Sequence, residues 1–185
     1  MMTFAVSPRT DRQAKARFTI AEFVRMGESG AFDDMKIELV DRELERMDLP
    51  LASHAARQAK IGIRLSDLLP EARIIGGVAV DLGNDTVLGF DVAVLREPVE
   101  GNRLPVANAF LLVIEVAETS VARDTTVKRF AYGRCGIPHY WVVDGARSVV
   151  HIYASPVEGD YTRFHSVGFG EPVAVPDTDG TITID

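Results

Sequence analysis

Residues 110–136 read FLLVIEVAETSVARDTTVKRFAYGRCG, and this stretch decides the fold. Its first eight residues are apolar except for Glu115. A nearly continuous apolar run of this length is the signature of a strand buried on both faces. The chain then turns polar. Thr119 or Ser120 can cap a helix, and the spacing predicts one that runs until Gly136-Ile137-Pro138 stops it. A second apolar run, HYWVVD at 139–144, follows at once. Strand, crossover helix and strand in succession point to a mixed central sheet in an α/β or α+β domain.

Reading outward, ARIIGGVAVDL (72–82) and TVLGFDVAVLR (86–96) are strand candidates joined by a Gly83-Asn84-Asp85 turn. FTIAEFVRM (18–26) predicts a short helix capped by Thr19, with Glu22 as the capping-box partner. In MKIELVDRELERM (35–47), Ile37, Leu39, Leu44 and Met47 around Asp41-Arg42 predict a β-hairpin. SHAARQAKIGIRLSDLL (53–69) predicts a helix capped by Ser53, with Ala56, Ile61, Leu65 and Leu68 on its apolar stripe and Pro70 at its end. Downstream, HYWVVD and RSVVHIYA predict a hairpin across Gly145-Ala146, with further strands near YTRFHSV and TITI. Residues 1–16 read as a loose polar arm, and 17–185 as a single domain.

Composition sets limits. The chain has 185 residues, 46% hydrophobic and 25% charged, which suits one globular domain with a full core. No apolar run approaches the roughly 20 residues of a membrane span, and no secretory signal is visible. Cys135 is the only cysteine, so neither a disulfide framework nor a thiolate zinc cluster is available. A cytoplasmic protein is expected. The net charge of −7 argues against a nucleic-acid partner, but its distribution matters more. Residues 31–50 carry seven acids against three bases, whereas residues 121–134 carry Arg123, Lys128, Arg129 and Arg134 against Asp124 alone. An acidic pocket flanked by basic elements suits a metal site acting on phosphate, and equally suits ordinary surface charge.

Glu115 is the residue out of place. A carboxylate buried without a partner costs several kcal/mol, relieved by protonation, an ion partner or a metal. Asp91 repeats the pattern in LGFDVAVL (88–95). Strand alternation places Phe90, Val92 and Val94 on one face, and Asp91 on the other with Gly89, Ala93 and Leu95. Gly89 and Ala93 leave room around the carboxylate. By the same rule Glu115 shares a face with Leu111, Val113 and Ala117. In the following helix Asp124, Lys128 and Tyr132 fall four apart on one stripe.

Two carboxylates can hold a divalent cation such as Mg²⁺, with the Val116 backbone carbonyl as a further ligand. Such an ion acidifies bound water and polarises a phosphate, while Lys128 orients the water or stabilises developing charge. On these residues alone a second reading stays open, in which the acids pair with Arg73, Arg96 or Lys128 in structural salt bridges. His54 opens a helix as a phosphate donor or as a solvated first-turn residue. Arg123 and Arg129 flank Lys128 as contacts to a DNA backbone or as a solvated face. His139, His151 and His165 lack ligand spacing, and Cys135, Tyr140 and Trp141 read as packing residues.

These residues resemble the PD-(D/E)XK nuclease superfamily, and within it a restriction-endonuclease family long known only as a domain of unknown function. The resemblance covers about residues 18–184. It rests on FTIAEFVRM, IELVDRELERM, the His54 region, FDVAVL, LLVIEVAETS and above all VKRFAYGRCGIPHYWVVD (127–144). In that last stretch Lys128, Tyr132, Gly136-Ile137-Pro138 and Tyr140-Trp141 match the family pattern. The resemblance implies a restriction-endonuclease-like core of mixed sheet flanked by helices, a Mg²⁺ or Mn²⁺ ion, phosphodiester hydrolysis in DNA and a homodimer. It makes Asp91 and Glu115 the metal-binding acids. It assigns the motif's lysine to Lys128 on the next helix, because Ala117 stands two residues after the acid. It also adds Glu38 to the site. The chain departs from the family at Phe90 for proline, Arg42 for glycine, Glu118 for a small or polar residue and His139 for an acid. A nuclease-fold module with altered or absent catalysis, serving DNA binding or regulation, is the alternative. A purely structural protein, its acids locked in salt bridges, is the third.

Overall fold

The computed structural model describes residues 15–101 and 103–185; most of the arm expected over 1–16 lies outside that range. Helix α1 (Ile20–Glu28) begins with the expected capping box. The Glu22 N–H donates to Thr19 Oγ1 at 3.3 Å, and the Glu22 carboxylate accepts from the Thr19 N–H at 2.8 Å. The expected hairpin forms from β1 (Lys36–Val40) and β2 (Glu43–Met47). Its turn puts Asp41 and Arg42 at φ +46° and +75°, the left-handed region that glycine enters most cheaply. An ion pair from Arg42 to Asp85 at 3.2 Å ties the turn to the neighbouring loop.

Helix α2 spans Ala52–Ser66, its cap two residues earlier than the expected Ser53. Leu51 stands at its cap and makes no side-chain cap bond, so Ser53 lies inside the helix. Its buried residues are Ile61 and Leu65, with Leu69 buried just beyond its end, while Ala56 and Leu68 are exposed. Each buried leucine or isoleucine contributes about 1.5–3 kcal/mol over its exposed state.

The two strand candidates in the middle each divide in two. Residues 72–82 yield β3 (Ile74–Gly76) and β4 (Ala79–Asp81), and residues 86–96 yield β5 (Val87–Gly89) and β6 (Val92–Leu95). β4 and β5 join a four-stranded sheet in the order β2-β1-β5-β4. β3 and β6 join a six-stranded sheet that continues through β7 (Phe110–Ala117), β8 (His139–Asp144), β9 (Val149–Val157) and β10 (Asp160–Gly168). The chain thus passes from one sheet to the other at Phe90-Asp91. A small hairpin of β11 (Pro172–Ala174) and β12 (Thr181–Thr183) completes the chain.

β7 is buried along its whole length, as expected. Its pairing with β8 is parallel, and every other pairing in the six-stranded sheet is antiparallel. The parallel pair needs a crossover, supplied by α3 (residues 121–134). The middle of α3, Asp124–Lys128, is π-helical. Two adjacent threonines help open the ladder there, donating their hydroxyls to carbonyls four residues back: Thr125 to Val121 at 2.7 Å and Thr126 to Ala122 at 2.5 Å.

The large sheet separates two cores. On one side α2 and the β11–β12 hairpin cover Val92, Val94, Ile114, Val116 and Trp141. On the other, α3 and the small sheet cover Phe90, Ala93, Val113, Ala117 and Tyr140. This corrects two expectations. Phe90 packs with Ala93 and Leu95 instead of Val92 and Val94, because the bend at Asp91 breaks the alternation. Leu111 packs on the side opposite Val113, because a bulge pairs Leu95 with Phe110 and Val94 with Leu112.

Candidate active site

Four elements bring polar side chains to one end of the large sheet: β1, the bend between β5 and β6, β7 and α3. Glu38, Asp91, Glu115, Asp124 and Lys128 are each no more than 6% exposed. All five line a single cavity of about 130 Å³, together with Val116, His54 and Lys36. Such a density of buried charge needs close pairing, and the sequence supplies it from both sides of the cavity.

Lys128 is the hub. Its Nζ donates to Glu115 Oε1 at 2.9 Å and to the Gly89 carbonyl at 2.7 Å, and lies 3.2 Å from Glu38 Oε1. Tyr132, one turn along α3, donates to the same Glu115 oxygen at 2.9 Å. The stripe of Lys128 and Tyr132 therefore meets Glu115 as a unit. Glu38 accepts the Gly89 N–H at 3.0 Å and pairs with Arg123 at 2.9 Å, and Arg123 reaches Glu45 at 2.5 Å. Burial opposes the Lys128 charge, but Glu115, Glu38 and Asp124 outweigh it and hold the ammonium firmly charged. Asp124 turns to the Ser120 hydroxyl at 2.5 Å, and burial raises its pKa against the pull of Lys128.

Asp91 is held from the opposite side. Its Oδ2 accepts the Val116 N–H at 2.7 Å, and its Oδ1 lies 3.1 Å from His54 Nε2. Gln58, one turn further along α2, donates to the Asp91 carbonyl at 2.7 Å. A side chain at Gly76 would collide with that carbonyl, its Cβ standing 2.8 Å away. Burial works against the Asp91 charge, but the bonds from His54 and Val116 prevail and keep the carboxyl below its ordinary range. The same contact with Asp91 raises the pKa of His54. Glu115 behaves oppositely: burial pushes its carboxyl up to about 8, despite the attraction of Lys128.

Of the residues singled out in the sequence, Glu38, Asp91, Glu115, Val116, Lys128 and His54 converge on the cavity. Arg123 stands behind Glu38. Arg129 is elsewhere: it pairs with Asp160 at 3.1 Å and packs over Phe130 and Tyr153. Arg73 donates to the Leu95 carbonyl and pairs with neither acid. Among the described residues, no three Asp, Glu, His or Cys side chains are grouped as a ready-made metal cluster. Two contributors escaped the sequence reading. Tyr132 was visible on the stripe but had no role, and Lys36 shares a strand face with Glu38. The four departures fit locally. Phe90 is fully buried edge-on against Phe110, Glu118 pairs with Arg57, Arg42 bridges to Asp85, and His139 is half-buried at the start of β8.

No described helix is long and apolar enough to cross a membrane. No curated protein matches the sequence. Among solved structures, the chain is similar to one described as "a putative nuclease belonging to DUF820" from Anabaena variabilis. That match has 20% identity and a TM-score of 0.63, and covers 86% of this chain and 89% of the other. At that identity the likeness establishes the fold. The family model described as "Putative restriction endonuclease" (Uma2) matches residues 20–183, nearly the whole described domain. The chain belongs to this restriction-endonuclease-like family.

Proposed function

We propose that the protein is a divalent-metal-dependent endonuclease that hydrolyses phosphodiester bonds in DNA. The observation carrying this reading is the convergence of Asp91, Glu115 and Lys128 on one cavity, with Lys128 Nζ 2.9 Å from Glu115. The donor set fits an oxygen-seeking ion such as Mg²⁺ or Mn²⁺. Lys128 and Tyr132 both bond Glu115 Oε1, while Oε2 has no hydrogen-bond partner among the described residues. A buried acid with one bare oxygen and a raised pKa lacks positive charge, which a cation supplies. Asp91, Glu115 and the Val116 carbonyl would hold the ion, whose chemistry is to acidify water and polarise phosphate.

The protein's own residues supply the rest. Asp91 stays ionised, its carboxylate held by His54 and the Val116 N–H and its carbonyl by Gln58 and the Gly77 N–H. Tyr132 and Lys128 set the rotamer of Glu115. Lys128, anchored by Glu38 and the Gly89 carbonyl, presents a permanent positive charge where negative charge grows on the phosphate. Glu38 thereby acts as a positioning residue for Lys128 and Arg123. A homodimer of single domains acting in the cytoplasm is the proposed context.

The test is cleavage of supercoiled plasmid by purified protein. Nicking is expected with Mg²⁺ or Mn²⁺, absent in EDTA, and abolished by Asp91→Ala or Glu115→Ala. No cleavage across varied substrates and both ions would refute the proposal. One observation favours a second reading, a DNA-binding module without turnover: both Asp91 oxygens already accept hydrogen bonds. That reading expects DNA affinity that falls with salt and no nicking.

A further inference from the structure

Among the described residues, the cations around the cavity divide into those already committed and one that is not. Lys128 is bound to Glu115, Glu38 and the Gly89 carbonyl. Arg123 is shared by Glu38 and Glu45, Arg57 pairs with Glu118, and His54 lies on Asp91. A phosphate entering the cavity could recruit any of these only by breaking a buried or half-buried pair. Lys36 also lines the cavity, yet it has no hydrogen-bond or ion-pair partner among the described residues.

Its position follows from the strand. Alternation along β1 places Lys36 on the same face as Glu38, one pleat repeat toward the rim. There the Lys36 side chain lies across Gly89. A Cβ at residue 89 would stand 3.3 Å from Lys36 Cε and 3.8 Å from its Nζ, tighter than ordinary packing at the first. The missing side chain makes room for the lysine. Lys36 also borders an adjoining depression of about 500 Å³, which shares Leu49, Pro50, His54 and Asp91 with the catalytic cavity. The two form one trough, and Lys36 stands where they meet. Its charge reaches the acids, since it contributes to the lowered pKa of Asp91.

We propose that Lys36 is the residue that receives a substrate phosphate in this trough. The inference rests on the DNA-hydrolase reading above and adds a contact to it. Asp33, Asp34 and Asp48 also border the trough, but none of them pairs with Lys36 among the described residues, so its ammonium meets a phosphate without losing an existing partner. It is a compact point charge, suited to a backbone that presents phosphates irrespective of sequence.

The experiment is fluorescence anisotropy of a short labelled DNA duplex with the full chain in EDTA, over a series of salt concentrations. Lys36→Ala is expected to weaken binding several-fold and to lower the slope of log K against log salt by about one. Lys36→Arg is expected to restore both, and the melting temperature of either variant to match the wild type. In plasmid nicking, Lys36→Ala should raise KM and leave kcat nearly unchanged. Wild-type binding with an unchanged slope and affinity in Lys36→Ala would overturn the inference and leave the proposed activity standing. A wild-type protein that binds no DNA at any salt would overturn both.

Discussion

Asp91, at the bend before β6, and Glu115, on the neighbouring β7, line the same cavity and are almost equally buried, at 6% and 3% exposure. Their surroundings are nevertheless opposite. Asp91 sits at a bend, where the chain changes sheets and leaves backbone donors and a helix face free to turn toward the carboxylate. Glu115 lies within β7, which is buried along its whole length, and its carboxylate takes its partners Lys128 and Tyr132 from α3. The first acid is consequently stabilised as an anion, and the second is driven toward protonation. Burial alone therefore does not set the state of an acid; the local supply of donors does. The bend ends the pairing of β6 with β7 at Val92, which leaves the Val116 N–H free for Asp91.

The largest expected effect is on activity. Asp91→Asn or Glu115→Gln should each reduce divalent-dependent nicking by at least about a hundredfold, because each removes a charge that the ion requires. If only one did so, the two acids would not share an ion.

Next is stability. Lys128→Met leaves Glu115 and Glu38 without their common cation, and should cost about 3–5 kcal/mol in urea unfolding. Combining it with Glu115→Gln should recover part of that loss, since the unpaired buried carboxyl is then gone. An additive double mutant would show that Lys128 and Glu115 do not form a unit.

The contrast between the acids also predicts a pH signature. The folded pKa of Glu115 is raised to about 8, so the fold favours its protonated form. That contribution is complete below the ordinary carboxylate range and is lost as pH rises toward about 8. In EDTA, stability should fall across this window by up to about 1.4 kcal/mol per pH unit on this account. Glu115→Gln should flatten the profile. Asp91 has the opposite sign, and its contribution is lost only at acid pH, below the ordinary range. His54, raised by the same contact, loses its contribution as pH rises above the ordinary histidine range. The melting difference between wild type and His54→Gln should accordingly be greatest near pH 5–6 and shrink at alkaline pH. A constant difference would mean that the histidine packs there without pairing.

The smallest effect is expected for Tyr132→Phe. Glu115 Oε1 keeps its bond to Lys128, so the loss should be about 1 kcal/mol in thermal unfolding.

Much of this arrangement was legible in the sequence because it is local. The apolar run around Glu115, the stripe of Lys128 and Tyr132, the capping box at Thr19 and the Asp41-Arg42 turn each depend on residues within a few positions. What escaped depends on distant partners. His54 meets Asp91, and Arg123 meets Glu38, across long stretches of chain. The bend at Phe90-Asp91 was hidden for a related reason. Phe90 carries no signal that breaks a strand, so the apolar alternation runs straight through it in the sequence. The division of 72–82 into two strands on two sheets escaped likewise, because only the partner strands reveal it. Ser53 is not the cap because α2 is capped two residues earlier, at Leu51.

The central claim is that the two contrasting acids serve one cation. Diffraction from a crystal soaked in Mn²⁺, recorded at a wavelength where manganese scatters anomalously, tests it most directly. An anomalous peak between the carboxylates of Asp91 and Glu115, lost in Glu115→Gln, is the expected result. No peak there at saturating Mn²⁺, with Lys128 still holding Glu115, would contradict it.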